Sequence, residues 1–332
     1  LLSVSAVPPP LEPPPAGRVR RLVRVSALTV LTLLALTAAW IALAPLPAVR
    51  PGALDGRRNA IWIGHKGVLG QLDAARMDGL LAHLEAHHIQ DVYVHVGPLD
   101  ARGFLPAPPS AAWTGVRNRL KARGLRLFAW VSGVTRWSYG EAPDTVDASQ
   151  SQVRANIVRT ARALLDVGHF DGIQYDLEIT PDGDPGLLAL LEETRAACGT
   201  APLSVSAPNL RPPWLLVPHL WTIGYYREVA RRCDQIAVMA YDTGLPTANA
   251  YARFVAWEAS TLVSTLGPPS DARPELLFGV PTYREATRSH HPSAETLGAA
   301  LHGLILSGAP VGGWAVYAEW TTTDEDWATL PR

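Results

Sequence analysis

The chain is poor in cysteine and carries no excess of charge of either sign. Cys198 and Cys233 are its only thiols, too few for a disulfide-rich scaffold. Neither has a histidine placed with it as a cysteine nucleophile requires. Both fall just before apolar runs that would be neighbours in a sheet, so a bridge and a pair of free thiols both stay open. His290 and His291 are adjacent, but neighbouring side chains point apart on most backbones and no Cys or acidic partner lies at ligand spacing. Neither a metal site nor a cofactor is expected. The formal net charge is −1, so there is no broad basic face for a phosphate backbone and no acidic tail for a cationic partner; nucleic acid is excluded as a partner.

What is present is apolar content and tryptophan. With 48% apolar residues in 332, the chain can bury one large core and still carry appendages. The 11 tryptophans are good core filler, and their flat faces suit the apolar faces of sugar rings. The first fifty residues differ from the rest. Proline clusters at Pro8–Pro10 and Pro13–Pro15 lack the apolar side chains needed to pack, so residues 1–21 are expected to form a disordered tail. Arg18, Arg20, Arg21 and Arg24 then precede an uncharged run from Val25 to Val49, longer than the ~20 residues that cross a bilayer as a helix. This predicts a single transmembrane signal anchor over 22–49, a cytoplasmic N-terminus and an extracytoplasmic remainder, with 50–58 as a linker. The alternative is a secreted protein released by signal cleavage near Ala42-Leu43-Ala44-Pro45.

From residue 59 to 332 the pattern alternates short apolar runs with amphipathic stretches, the habit of a parallel α/β fold. The runs are Ala60–Gly64, Asp91–Val96, Leu125–Val131, Gly172–Leu177, Leu203–Ala207, Gln235–Tyr241, Leu276–Val280 and Gly313–Tyr317. Helical segments such as Ala74–His87, Ser151–Leu165, Pro185–Ala197 and Ala294–Leu306 lie between them. Eight strand-helix units predict a closed (β/α)8 TIM barrel, whose chemistry sits at the C-terminal ends of the strands.

The fourth run continues into Tyr175-Asp176-Leu177-Glu178, two carboxylates two residues apart at a strand end. At period two, Gln174, Asp176 and Glu178 share one face and Ile173, Tyr175 and Leu177 the other. The apolar face should meet the outer helices, leaving the polar face inside the barrel. Acids crowded there repel one another, so one keeps its proton while the other stays ionised. That division suits a general acid beside an anionic stabiliser.

The sixth run ends Met239-Ala240-Tyr241-Asp242, the seventh reads on through Pro281-Thr282-Tyr283-Arg284, and the eighth opens Gly312-Gly313. Together with Asp171-Gly172 and the Asp176/Glu178 pair, in this order, the motifs resemble glycoside hydrolase family 18, the chitinase-like barrels, over about residues 59–332. The resemblance implies a retaining glycosidase that uses no enzyme nucleophile, the substrate's 2-acetamido carbonyl attacking the anomeric carbon instead. It makes Glu178 the general acid, Asp176 the residue that orients the acetamido group, and Tyr241 a hydrogen-bond donor to its oxygen, with Asp242 beside it on the sugar. Gln174, Met239, Tyr283, Arg284, Tyr317, Trp62, Trp130 and Trp320 are the further candidates for substrate binding. His65, His95, Asn209 and Glu319 also fall near predicted strand ends.

Two positions depart from the commonest family pattern. Gln174 stands where typical chitinases carry a further Asp; an amide can hydrogen-bond to Asp176 but cannot share its proton or repel its charge. An amide here is similar to the branch that includes spore-cortex and other peptidoglycan-processing glycosidases. Tyr317 occupies the place of the tryptophan that floors the central sugar subsite, so either stacking there is weaker or Trp314 or Trp320 supplies it. The expected partner is an N-acetylated amino-sugar polysaccharide: peptidoglycan, exopolysaccharide or a chitin-like polymer. The rival reading is a membrane-anchored, lectin-like barrel without catalysis, against which the presence of Glu178 with Asp176 and Tyr241 argues.

Overall fold

The computed structural model describes residues 16–332 apart from 51, 67, 70, 72–73, 139–144, 214–216, 218–219 and 268–273, and leaves out the side chains of 16–24, 27 and 38. The chain divides into two units, 1–45 and 46–332.

In the first unit, helix α1 spans Ala16–Leu43. The part of the expected tail at 1–15, and the side chains of the arginine cluster, lie outside the described residues. The helix begins before residue 22, since arginine is a good helix former. It stops short of residue 49 because Pro45 and Pro47 lack the N–H a continuing helix needs and disfavour helical backbone just ahead of them. Val25, Leu28, Val30, Leu31, Leu33, Leu34, Leu36, Trp40, Ile41 and Leu43 are exposed along it. Among the described residues no helix is long and apolar enough to cross a membrane, so the spanning helix expected over 22–49 is not shown.

The second unit is a TIM barrel. Its strands are β1 (Asn59–Ile63), β2 (Ile89–Pro98), β3 (Arg126–Thr135), β4 (Thr145–Val146), β5 (Gly172–Glu178), β6 (Leu203–Ala207), β7 (Gln235–Val238), β8 (Glu275–Pro281) and β9 (Gly313–Tyr317). Every pairing is parallel, and the sheet closes through β1–β2, β2–β3 and β1–β9. The two-residue β4 pairs only with the end of β3, outside the ring. Each of the eight expected runs is therefore a barrel strand. The sixth ends at Val238 rather than Tyr241, because the Ala240 N–H turns back to the Val238 carbonyl. Between strands run α2 (Ala74–Ala86), α3 (Trp113–Lys121), α4 (Ser151–Asp166), α5 (Pro185–Cys198), α6 (Ile223–Ala230), α7 (Ala248–Leu266) and α8 (Leu297–Ser307), with α9 (Asp324–Thr329) after β9. Asp184, Thr222, Thr247 and Thr296 cap the N-termini of α5, α6, α7 and α8 by accepting backbone N–H groups there, which satisfies donors a helix start leaves open.

The alternation seen in the fourth run sorts side chains as expected. Ile173, Tyr175 and Leu177 join the large apolar layer between barrel and helices, where Tyr175 also hydrogen-bonds Thr194 of α5 (2.8 Å). A second apolar cluster fills the barrel interior with Trp62, Tyr93, Phe128, Trp130 and Leu277. Gly313 is what allows β9 to close on β1: a Cβ there would lie 2.0 Å from the Arg58 carbonyl oxygen. Cys198 and Cys233 are both free thiols, and Cys233 donates to the Val229 carbonyl.

The interior changes character along the barrel axis. At the N-terminal end the buried Asp91 accepts from Arg126 through both oxygens (2.8 and 2.6 Å), from Arg58 (3.2 Å) and from Gln235 (2.8 Å). Gln235 in turn donates to Glu275 and accepts from Tyr93. The aromatic layer lies above this network, and the carboxylates of the fourth run lie above that.

Candidate active site

An open cleft of about 350 Å³ lies at the C-terminal mouth. Its walls come from the ends of several strands: Trp62 of β1, Asp176 and Glu178 of β5, Ser206 of β6, Tyr317 of β9, and Met239, Tyr241 and Asp242 just past β7. Its described lining holds three carboxylates and no arginine, lysine or histidine.

Asp176 is buried, and one of its oxygens accepts the Trp130 indole N–H (2.7 Å). The other, Oδ1, is buried with no hydrogen-bond partner among the described residues. Burial raises the Asp176 carboxyl to about 6, against the pull of the Trp130 N–H. Glu178, at the solvent end of β5, is raised further, to about 8, first by the charge of Asp176, then by burial, then by Asp242. With no cation between them the two acids compete for one proton, and Glu178 holds it. The peptides after Glu178 and after Tyr317 are both cis.

Tyr241 is buried, and burial holds its phenol well above the ordinary tyrosine range, so it remains a donor. Gly279 of β8 makes room for it, because a Cβ there would stand 2.8 Å from the Tyr241 ring. Asn209 donates to the Tyr241 carbonyl (2.8 Å), and the Tyr317 ring stacks on Tyr241 at 5.1 Å and 23°. Asp242 adopts a left-handed backbone, φ 58°, which Asp tolerates better than most residues; its carboxylate accepts the Tyr283 hydroxyl (2.7 Å).

The structure thus brings Glu178, Asp176, Tyr241, Asp242, Met239, Tyr317 and Trp62 together in one cleft, and sets others apart from it. Gln174 is fully buried, accepting from Trp62 (2.8 Å) and donating to Ser204 (3.2 Å). Among the described residues it makes no hydrogen bond to Asp176, and it is closed to solvent; as an inward residue two places below Asp176 it faces the interior layer, where it holds the Trp62 ring. Arg284 makes a two-oxygen ion pair with Asp326 of α9 (3.0 Å each) and donates to the Thr282 carbonyl (2.8 Å), so it supports the wall rather than lining the cleft. Trp130 acts through Asp176. Trp314, a candidate for stacking, is fully buried in the outer apolar layer and cannot meet a sugar. Trp320 is 44% exposed and parallel to Trp130, 6.4 Å away at 9°. His95 shares a hydrogen bond with Ser132 (2.9 Å), and burial pushes it down to about 4. Glu319 accepts from Arg76. His290, rather than facing His291, is buried 3.5 Å from Glu295 and 3.7 Å from Asp242.

Sequence reasoning missed Ser206, Thr180, Trp221 and Ser289, which also line the cleft. Ser206 was findable: in Leu203-Ser204-Val205-Ser206-Ala207 the serines alternate onto the face that carries Gln174 and Asp176 in β5. Trp221 follows a long connection after β6 and carries no such signal.

No family model matches the chain, and no curated protein does. Solved structures do. A chitinase from Chromobacterium violaceum ATCC 12472 matches 83% of this chain and 98% of its own at TM-score 0.60 and 15% identity. The spore cortex-lytic enzyme SleL of Bacillus cereus matches 86% of this chain and 75% of its own at TM-score 0.62 and 9% identity. The C-terminal domain of a putative chitinase from Desulfitobacterium hafniense DCB-2 matches 82% and 97% at TM-score 0.61 and 13% identity. The chain has the fold of chitinases. The chitinase-like barrel implied by the sequence motifs is thus shown as a fold.

Proposed function

We propose that this chain is a retaining glycoside hydrolase acting on a β-linked, N-acetylhexosamine-containing polysaccharide by substrate-assisted catalysis. The observation that carries the reading is the pair Asp176 and Glu178 at the cleft, uncompensated by any cation of its described lining and with Asp176 Oδ1 left unbonded. Glu178, protonated, gives its proton to the glycosidic oxygen as the bond to the anomeric carbon breaks. The 2-acetamido carbonyl oxygen forms the new bond to that carbon, giving an oxazolinium intermediate. Asp176 Oδ1 takes the acetamido N–H and balances the developing positive charge, while the Tyr241 hydroxyl donates to the acetamido oxygen. Glu178, now a carboxylate, removes a proton from the water that opens the ring. Tyr317 gives the sugar an aromatic wall, backed by the almost wholly buried Trp62, and Met239 and Asp242 complete it; Tyr283 orients Asp242. The shared fold of chitinases and a spore cortex-lytic enzyme supports an amino-sugar polymer as substrate.

The proposal extends to location. The exposed apolar side chains of α1, with the uncharged run from Val25 to Val49, support a membrane anchor that keeps the barrel at the extracytoplasmic face, because so continuous an apolar strip is unfavourable in water. The test of the activity is to incubate the full chain and Glu178→Gln with β-linked N-acetylglucosamine oligomers and with purified peptidoglycan, reading products by mass spectrometry. Cleavage by the wild type alone supports the hydrolase. Binding without cleavage by either protein points to the lectin-like reading instead. Flotation of the full chain with phospholipid vesicles tests the anchor, and a chain that stays unbound refutes it.

A further inference from the structure

Among the described residues no side-chain hydrogen bond holds the Glu178 carboxyl, so its aim is set by the backbone that carries it. That backbone is gripped. The Thr180 hydroxyl donates to the Leu177 carbonyl (2.7 Å), the Ser138 hydroxyl to the Glu178 carbonyl, the Thr135 hydroxyl to the Ile179 carbonyl, and the Trp221 indole N–H to the Thr180 carbonyl (2.9 Å). Four consecutive carbonyls, beginning at the last residues of β5, are each held by a side chain, in addition to the pairing of β5 with β3 that runs up to Glu178. Ser138 differs from the other three because it engages both ends of one peptide: it donates to the Glu178 oxygen and accepts from the Ile179 N–H (3.0 Å). It reaches there from the connection after β3, forty residues earlier in the chain.

We propose that Ser138 is a positioning residue for Glu178, its hydroxyl fixing the peptide that follows the acid so that the carboxyl meets the glycosidic oxygen. The inference rests on the reading of Glu178 as general acid. Without the hydroxyl, the Glu178 carbonyl and the Ile179 N–H lose this side-chain partner together, and the peptide just past the last β3-paired residue is held less firmly. Proton donation is steeply sensitive to such a displacement, because the acid must come within hydrogen-bond reach of the oxygen it protonates. Sugar binding, which Tyr241 and Tyr317 provide from other parts of the barrel mouth, does not depend on that peptide.

The test compares the full-length wild type, Ser138→Ala, Ser138→Thr and Glu178→Gln on two substrates. One is a β-linked N-acetylglucosamine oligomer, whose departing alcohol needs a proton; the other is its 2,4-dinitrophenyl glycoside, whose phenolate leaves without one. Ser138→Ala is expected to lower kcat on the oligomer by about tenfold or more, with KM and dinitrophenyl release both within about twofold of wild type. Ser138→Thr, which keeps the hydroxyl, should recover most of the loss; if Ser138→Ala fails to fold, Ser138→Cys, whose thiol is a weaker hydrogen-bond partner for the peptide, decides in its place, with oligomer cleavage lowered and dinitrophenyl release kept. Equal slowing on both substrates, a change in KM alone, or no change in either variant would overturn the proposal. A wild type that cleaves neither substrate, or a Glu178→Gln that cleaves the oligomer normally, instead removes the role of Glu178 and the inference with it.

Discussion

The two ends of the barrel interior treat buried carboxylates in opposite ways. At the N-terminal end Asp91 is matched by two guanidinium groups and an amide, so every oxygen has partners. At the C-terminal end Asp176 receives a single indole N–H, and one oxygen has no partner among the described residues. Matching the charge at one end makes removal of a single partner costly, because a buried ion is then stranded. Leaving it unmatched at the other end costs stability in the folded state, but it raises the acid that must give up a proton and leaves an acceptor free for substrate. The same residue type serves architecture at one end and is poised for chemistry at the other, and the difference lies in the neighbours.

The strongest way to break this contrast is Glu178→Gln, which should lower hydrolysis by about 10²- to 10⁴-fold while leaving thermal stability equal or higher; kcat and melting temperature measured on one preparation check both halves. At the opposite end Asp91→Asn should cost about 3 kcal/mol in urea unfolding, near the lower end of the range for breaking a buried pair because Arg58 and Arg126 are partly exposed. Its kcat per folded molecule should stay near wild type. Asp176→Asn should do the reverse of Asp91→Asn, abolishing turnover and raising stability by about 1 kcal/mol, as expected when an active site gives up an unfavourable group.

The pH dependence sharpens the same comparison. Activity needs Glu178 protonated and Asp176 ionised, so kcat/KM should fall as pH rises past about 8 and fall again below about 6, the two limbs belonging to the pair as a whole. Stability follows the same groups. Because both are raised in the folded protein, the folded state binds more protons than the unfolded one between the ordinary carboxylate range and about 8. Their contribution is therefore fully present at acid pH and is lost as pH rises through that window. Melting temperatures across it should decline in the wild type and decline less in Glu178→Gln. The smallest effect is expected from Asp242→Asn: its charge is the last of the three causes that raise Glu178, so the alkaline limb should move slightly downward in a kcat/KM profile.

Much of the architecture was legible in the sequence, because it depends on periodicity. Eight apolar runs with helices between them favour a closed barrel over an open parallel sheet, and the alternation Gln174, Asp176, Glu178 fixed which residues face inward. The motif residues that line the cleft, Glu178, Asp176, Tyr241 and Asp242, were legible for the same reason: each stands at or just past a strand end. Periodicity does not say how far from the mouth an inward residue lies, and there the reading of Gln174 as a sugar contact failed. Nor does it say where a long side chain bends, so Arg284 turned out to hold Asp326. Trp314 looked available for stacking, yet its place in β9 points it outward into the apolar layer.

By itself, then, the sequence determined the barrel and the identity of its acids, because strand and helix periods and residue chemistry are local properties. Only the tertiary structure decided which acid is matched and which is left exposed to its neighbour's charge. Arg58, Arg126 and Gln235 reach Asp91 from other strands or their approaches, while among the described residues Trp130 alone hydrogen-bonds Asp176, and Ser138 comes from a separate connection to hold the Glu178 peptide. Electrostatic matching depends on distances of a few ångströms between residues tens to more than a hundred positions apart in the chain, and those distances exist only once the barrel has closed.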